Sequence, residues 1–270
     1  MVKSIKQIFN NSKNRAASAA KLKKLRELYL ETIAKCLIGL IYKDRSQDPW
    51  NGQKYDPRAR EYGLDWPATA HSMIGLKRME NLRSLATRVI EENIPGDFIE
   101  TGVWRGGACI MMNAVLETFE ASDRLVWVAD SFEGLPKPSS DKYPADRGDL
   151  HHTHAELAIS IEEVKANFAA YGLLNERVRF LKGWFKDTLP NAPIEKLAIL
   201  RLDGDMYEST MDALVSLYDR LSIGGYVIVD DYGVVPSCQK AVSDFREQRA
   251  IADPICDIDG TGIFWRKTKA

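Results

Sequence analysis

Two hydrophobic periods alternate along this chain. Leu22, Leu25, Leu28, Tyr29 and Ile33 recur at helical spacing and predict an amphipathic helix from about Ala17 to Leu40. Residues 44–67 show neither helical nor strand period. They are rich in Asp, Pro, Trp, Tyr and Gly (Asp48-Pro-Trp50-Asn-Gly52, Asp56-Pro57, Asp65-Trp-Pro67). Such a stretch predicts a long ordered loop with aromatic anchors, the kind that serves as a lid or binding loop. From residue 79 the pattern becomes regular. Short apolar, β-branched runs over 97–100, 125–129, 178–181, 197–202, 226–229 and 262–265 predict strands. Helical stretches over 79–92, 107–117, 156–171, 209–221 and 237–250 fall between them. This alternation predicts an α/β fold, a mostly parallel sheet with helices on both faces. The chain divides into an N-terminal helix and lid segment over 1–78 and a sheet domain over 79–270, without internal repeats.

Composition excludes several classes. Apolar residues make up 45% of the 270 and charged residues 28%, as in a soluble globular protein rather than a disordered, fibrous or multi-span membrane chain. The 37 basic residues balance 38 acidic ones, so no global field for nucleic acid exists. The balance hides an asymmetry: residues 1–45 carry net +8 and the remainder net −9. The basic end reads as an oligomerisation or lid helix with a solvated face. A membrane-surface or acidic-partner contact is the alternative, and a transit peptide a third. Residues 1–15 have no apolar core of a secretory signal. The longest apolar run in this end, Cys36–Tyr42, is seven residues against the ~20 of a membrane span. Cys36, Cys109, Cys238 and Cys256 form no CxxC and have no histidine at zinc spacing, which suits a reducing cytoplasm.

In open α/β sheets ligands bind beyond the carboxyl ends of the strands, and four predicted strands end in Glu100, Asp130, Asp203 and Asp230-Asp231. The first turn, Glu100-Thr-Gly102-Val-Trp-Arg-Gly-Gly107, has glycines spaced unlike the G-x-G-x-x-G of dinucleotide binders. An acid inside it would repel a pyrophosphate and favour a cationic ligand with an amino-acid tail, such as S-adenosylmethionine. That spacing disfavours an NAD-dependent dehydrogenase. Asp130 is placed to accept hydrogen bonds from ribose hydroxyls, with a turn-capping Asp as the structural alternative. Gly183 and Trp184, after the third strand, could flank an adenine, though Trp184 would equally serve a core. Neighbouring strands lie ~4.8 Å apart, so Asp203, Asp230 and Asp231 should converge. Three carboxylates together repel one another, and a divalent cation such as Mg²⁺ resolves the repulsion. Asp205 and Glu208 read instead as separate salt bridges or helix caps. Asp149-Leu-His-His-Thr-His154 cannot readily place three imidazoles on one metal, so one of them as general base competes with a solvated turn.

With these residues in hand, the chain resembles the macrocin-type (TylF-like) O-methyltransferases, S-adenosylmethionine- and Mg²⁺-dependent enzymes that methylate sugar hydroxyls of macrolide and aminocoumarin natural products. The matching text is Gly96-Asp-Phe-Ile-Glu-Thr-Gly-Val-Trp-Arg-Gly-Gly-Ala108, Asp130-Ser-Phe-Glu-Gly-Leu-Pro136, Arg201-Leu-Asp-Gly-Asp-Met-Tyr-Glu-Ser-Thr210 and Gly224-Gly-Tyr-Val-Ile-Val-Asp-Asp-Tyr232. The resemblance covers roughly 60–266 and implies a Rossmann-like class I methyltransferase sheet of seven strands with a late antiparallel hairpin. It implies Asp203, Asp230 and Asp231 as metal ligands. It also implies Glu100, Thr101, Gly102, Asp130, Ser131 and Met73 around the cofactor, and a functional histidine after Asp149, assigned to His151. The expected chemistry is methyl transfer to a sugar hydroxyl of a glycosylated natural product, with Asp203 or His151 taking the proton. The expected protein is a cytoplasmic homo-oligomer with a small-molecule glycosylated substrate, no nucleic-acid partner and no stable membrane insertion. Competing readings are a metal-dependent catechol or phenol O-methyltransferase and a non-catalytic module binding a partner through the basic helix.

Overall fold

The computed structural model describes residues 2–50 and 52–269, with side chains from residue 17 onward. The basic side chains within 1–16 therefore lie outside the described residues. Five apolar runs form parallel strands: β1 (Asp97–Thr101), β2 (Val126–Asp130), β3 (Val178–Lys182), β4 (Leu197–Leu202) and β5 (Leu221–Val229). β6 (Cys256–Asp257) and β7 (Ile263–Arg266) close the sheet antiparallel, in the order β3-β2-β1-β4-β5-β7-β6. The chain builds outward from β1 in one direction and then restarts at β4 in the other. A cleft opens where the order reverses. Register fixes what lines it: Thr101 pairs with Leu202, and Leu202 with Val229. Gly102, Asp203 and Asp230 thus leave the sheet at one level.

The strand period of two sorts neighbours onto opposite faces. Phe98, Val128 and Ile228 pack under α1 (Val2–Leu37), α3 (Gly75–Glu91), α4 (Gly107–Thr118) and α5 (Ile161–Ala170). Ile99, Trp127 and Val227 pack under α7 (Tyr207–Leu217) and α8 (Pro236–Gln248). α1 joins the first core through Leu30, Ala34, Leu37 and Ile38.

Several boundaries differ from the sequence reading. The helix expected from 156 begins at Ile161, because Ser160 caps it by accepting the Glu163 N–H, and 3₁₀ turns fill the preceding residues. The helix expected to reach 221 ends at Leu217. β5 starts at Leu221 rather than Tyr226, because a register shift against β4 absorbs Gly224 and Gly225. Two short helices were not expected, α2 (Pro57–Tyr62) and α6 (Phe185–Thr188).

The segment over 44–70, expected to be a lid, is ordered by charge as well as by rings. Asp56 caps α2, accepting the Arg58 and Ala59 N–H groups. Arg60, wholly buried, bonds Asp65 and donates to the Ile38 and Asp44 carbonyls at 2.8 Å. The Asp44 carboxylate accepts the Thr69 and Ala70 N–H groups. Trp50, expected as an anchor, is 57% exposed and meets Trp66 edge to face.

Candidate active site

One cavity of about 980 Å³ opens at the strand ends. Of the sequence-predicted residues, Met73, Gly102, Asp130, Ser131, His151, Gly183, Trp184, Asp203, Asp230 and Asp231 line it. Glu100 and Thr101 do not. Both are 1% exposed, one layer behind the wall, because they are still inside β1 rather than in the turn.

The β1–β2 end is built from backbone. Asp130 accepts the Val103 N–H at 2.7 Å with one oxygen and the Phe132 N–H at 2.7 Å with the other. Burial still holds its pKa above the usual carboxylate value. Gly102 sits at φ 85°, where a side chain would strike the Asp203 carbonyl, so only glycine lets the β1 turn approach β4 so closely. Trp104, which the sequence reading did not single out, also lines the cavity and donates its ring N–H to the Glu156 carbonyl at 2.9 Å.

Charge organises the β4–β5 end. Oxygens of Asp203, Asp230 and Asp231 lie within 4.8 Å of one another. They converge as the sequence suggested, but not unopposed. Arg201, fully buried on β4, bonds Glu100 and Asp230 and reaches Asp203 at 2.6 Å. Arg78 bonds Asp230 and, at 3.1 Å, Asp259. Five carboxylates therefore face two guanidinium groups, and negative charge is in excess. Burial and neighbouring acids push the Asp203 and Asp231 carboxyls up. Asp231 Oδ2 is buried with no hydrogen-bond partner, an arrangement that persists only where something else satisfies the atom. The donor set is all carboxylate oxygen, which suits a hard divalent cation. Sequence reasoning missed both arginines: Arg201 sits in an apolar strand, and Arg78 comes from 152 residues before Asp230.

Among the clustered histidines only His151 lines the cavity. Its Nδ1 meets Asp149 Oδ2 at 2.8 Å, and its backbone N–H meets Oδ1. Burial opposes its charge, yet Asp205 and Asp149 outweigh burial and hold its pKa above the ordinary histidine value. His154 packs edge to face on Trp66 instead. Asp205, also on the cavity, is pushed up to about 6 by burial. No helix of the described residues is long and apolar enough to cross a membrane.

Comparison with known proteins places the chain among O-methyltransferases. A family model described as macrocin-O-methyltransferase (TylF) matches residues 5–267. The demethyldecarbamoylnovobiocin O-methyltransferase of Streptomyces niveus is 52% identical over 246 residues, 90% of this chain and 94% of its own. A tetracenomycin-C rhamnosyl 4'-O-methyltransferase of Streptomyces olivaceus is 52% identical over 248 residues, covering 91% of this chain and 94% of its own. The solved O-methyltransferase NovP superposes with TM-score 0.86 at 52% identity, over 90% of this chain and 100% of that one.

Proposed function

The chain belongs to the macrocin O-methyltransferase family, and from that premise we propose that it methylates a sugar hydroxyl of a glycosylated natural product. S-adenosylmethionine, when bound, supplies an activated methyl group. Gly102, Asp130, Ser131 and Met73 would hold that cofactor, with Gly183 and Trp184 beside the adenine. Glu100 and Thr101 would act from behind the cradle, Glu100 by fixing Arg201. Asp203, Asp230 and Asp231 would hold Mg²⁺, which lowers the pKa of a nearby hydroxyl when bound. The orphaned, buried Asp231 Oδ2 carries this reading.

The chain's own residues supply proton removal. With Nδ1–H donated to Asp149, the His151 Nε2 keeps its lone pair for the acceptor proton. Asp203, next to Arg201, stays oriented for the same task if His151 does not serve. The apolar side chains at the cavity mouth (Trp50, Leu64, Leu150 and Val234 are all more than half exposed) support an acceptor that carries an aglycone. The exposed stripe Leu22, Leu25 and Leu28 on α1 supports pairing of two copies, measurable by light scattering. A cytoplasmic location is part of the same proposal.

The deciding experiment incubates the protein with S-adenosylmethionine, Mg²⁺ and demethylated glycosides and follows the mass gain of one methyl group. Transfer to a simple catechol but to no glycoside would overturn the acceptor assignment.

A further inference from the structure

Glu208 is a buried acid without a partner, and it opens onto the cavity. It is 6% exposed, and no hydrogen bond or ion pair engages its carboxylate among the described residues. An acid in the first turn of a helix ordinarily serves the unpaired N–H groups there. In this chain another residue does that work. Asp146, from the loop after β2, accepts the Tyr207 N–H at 2.7 Å and the Glu208 N–H at 3.0 Å. The capping role that the sequence suggests for Glu208 is therefore already filled. Its carboxylate is left to the cavity wall.

Asp212 lies one turn further along α7 and lines the same cavity. Residues four apart share a helix face, so the two acids form one patch. Burial and then Glu208 push the Asp212 carboxyl up to about 6. Lys142 and Lys186 act on it from beyond ion-pair distance. Lys142 and Lys186 offset most of the charge of Glu208, Asp212 and the nearby Asp187, and the one acid left over calls for hydrogen-bond donors. The Glu208 oxygens open onto the cavity with no donor from the chain, so a ligand that supplies donors there gains charge-assisted hydrogen bonds.

We propose that Glu208, with Asp212 beside it, forms a subsite that accepts hydrogen bonds from the acceptor-sugar hydroxyl next to the one methylated, and so selects the position of methylation. The inference rests on the sugar-acceptor reading above and adds the residue that reads the sugar. Sites built to bond a hydroxyl discriminate strongly against analogues lacking it, because their polar groups are left unpaired.

The test uses demethyldecarbamoylnovobiocin as probe, together with the same glycoside lacking the hydroxyl adjacent to the methylated one. Wild-type kcat/KM should fall by ~10–100-fold on the deoxy probe, the weight of a hydrogen bond to a charged group. Glu208→Ala should lose a similar factor on the full probe and nothing more on the deoxy probe. Glu208→Gln, isosteric and still an acceptor, should fall between, and Glu208→Ala should scatter the site of methylation seen by NMR. Affinity for S-adenosylhomocysteine should stay unchanged in both variants, showing that the fold and the cofactor end are intact. Wild-type kcat/KM in Glu208→Ala, or undiminished discrimination by that variant, would overturn the subsite. A Gln variant as inactive as Ala, with strongly salt-dependent wild-type activity, would point to an ammonium ligand and overturn it too. Absence of wild-type turnover on every glycoside would instead remove the acceptor reading, and this inference with it.

Discussion

At the β1–β2 end of the cleft Asp130 is held by the backbone N–H groups of Val103 and Phe132, whereas at the β4–β5 end Asp203 and Asp230 are held by guanidinium groups. The first arrangement is local: both donors come from turns that flank β1 and β2. It leaves a carboxylate with lone pairs to spare and no cation touching it, which suits neutral hydroxyl donors. The second draws charges from distant parts of the chain into a buried space and still leaves Asp231 unsatisfied. It suits a cation. On the proposed reading, one cleft takes a nucleoside and a metal ion side by side because its two ends solve the burial of acids differently.

The comparison can be broken experimentally. The largest effect should come from EDTA. Chelation should abolish turnover, and added Mg²⁺ should restore it, while calorimetric binding of S-adenosylhomocysteine persists. Full turnover in metal-free buffer would erase the proposed difference between the ends. Next, His151→Ala should lower kcat by ~10²–10⁴, as for loss of a positioned general base. Because Asp205 and Asp149 hold the His151 pKa up, the neutral, basic form appears only above it. Wild-type kcat should therefore rise with pH through a midpoint above the ordinary ~6.5 of histidine, and the variant should lack that limb. A profile that is unchanged in His151→Ala would assign the proton to Asp203 instead.

Stability separates the two ends as well. Arg201→Met leaves Glu100, Asp203 and Asp230 without their shared counter-charge, so unfolding in urea should show a loss of ~3–5 kcal/mol. Arg201→Lys should recover part of it. The smallest effect belongs to Asp130→Ala, which orphans two N–H groups and should cost ~1–3 kcal/mol. It should weaken S-adenosylhomocysteine binding and leave affinity for the divalent ion unchanged. Equal losses at both ligands would show the ends to be one unit.

The α/β alternation and the convergence of Asp203, Asp230 and Asp231 were legible in the sequence. They follow from short apolar runs alternating with helices, and from acids placed one step past strands that lie side by side. What compensates those acids was not legible. Arg201 points out of a strand whose other residues are apolar, and Arg78 reaches Asp230 through tertiary packing that has no spacing in the sequence. Glu100 was read as part of the turn; β1 runs one residue longer and buries it. For the same reason Glu208 looked like a cap until Asp146, 62 residues earlier, was seen to occupy that place.

Arg60 has a consequence for how quickly an acceptor is captured. Its guanidinium ties residues 38, 44 and 65 into one buried knot. The segment that carries Trp50, Leu64 and Trp66 to the cavity mouth is therefore pinned from within. A pinned mouth presents its apolar surface before any ligand arrives, so encounter leads to binding without a preceding search by the loop. Selectivity in such a mouth is set by shape and shows in how fast a misfitting glycoside leaves.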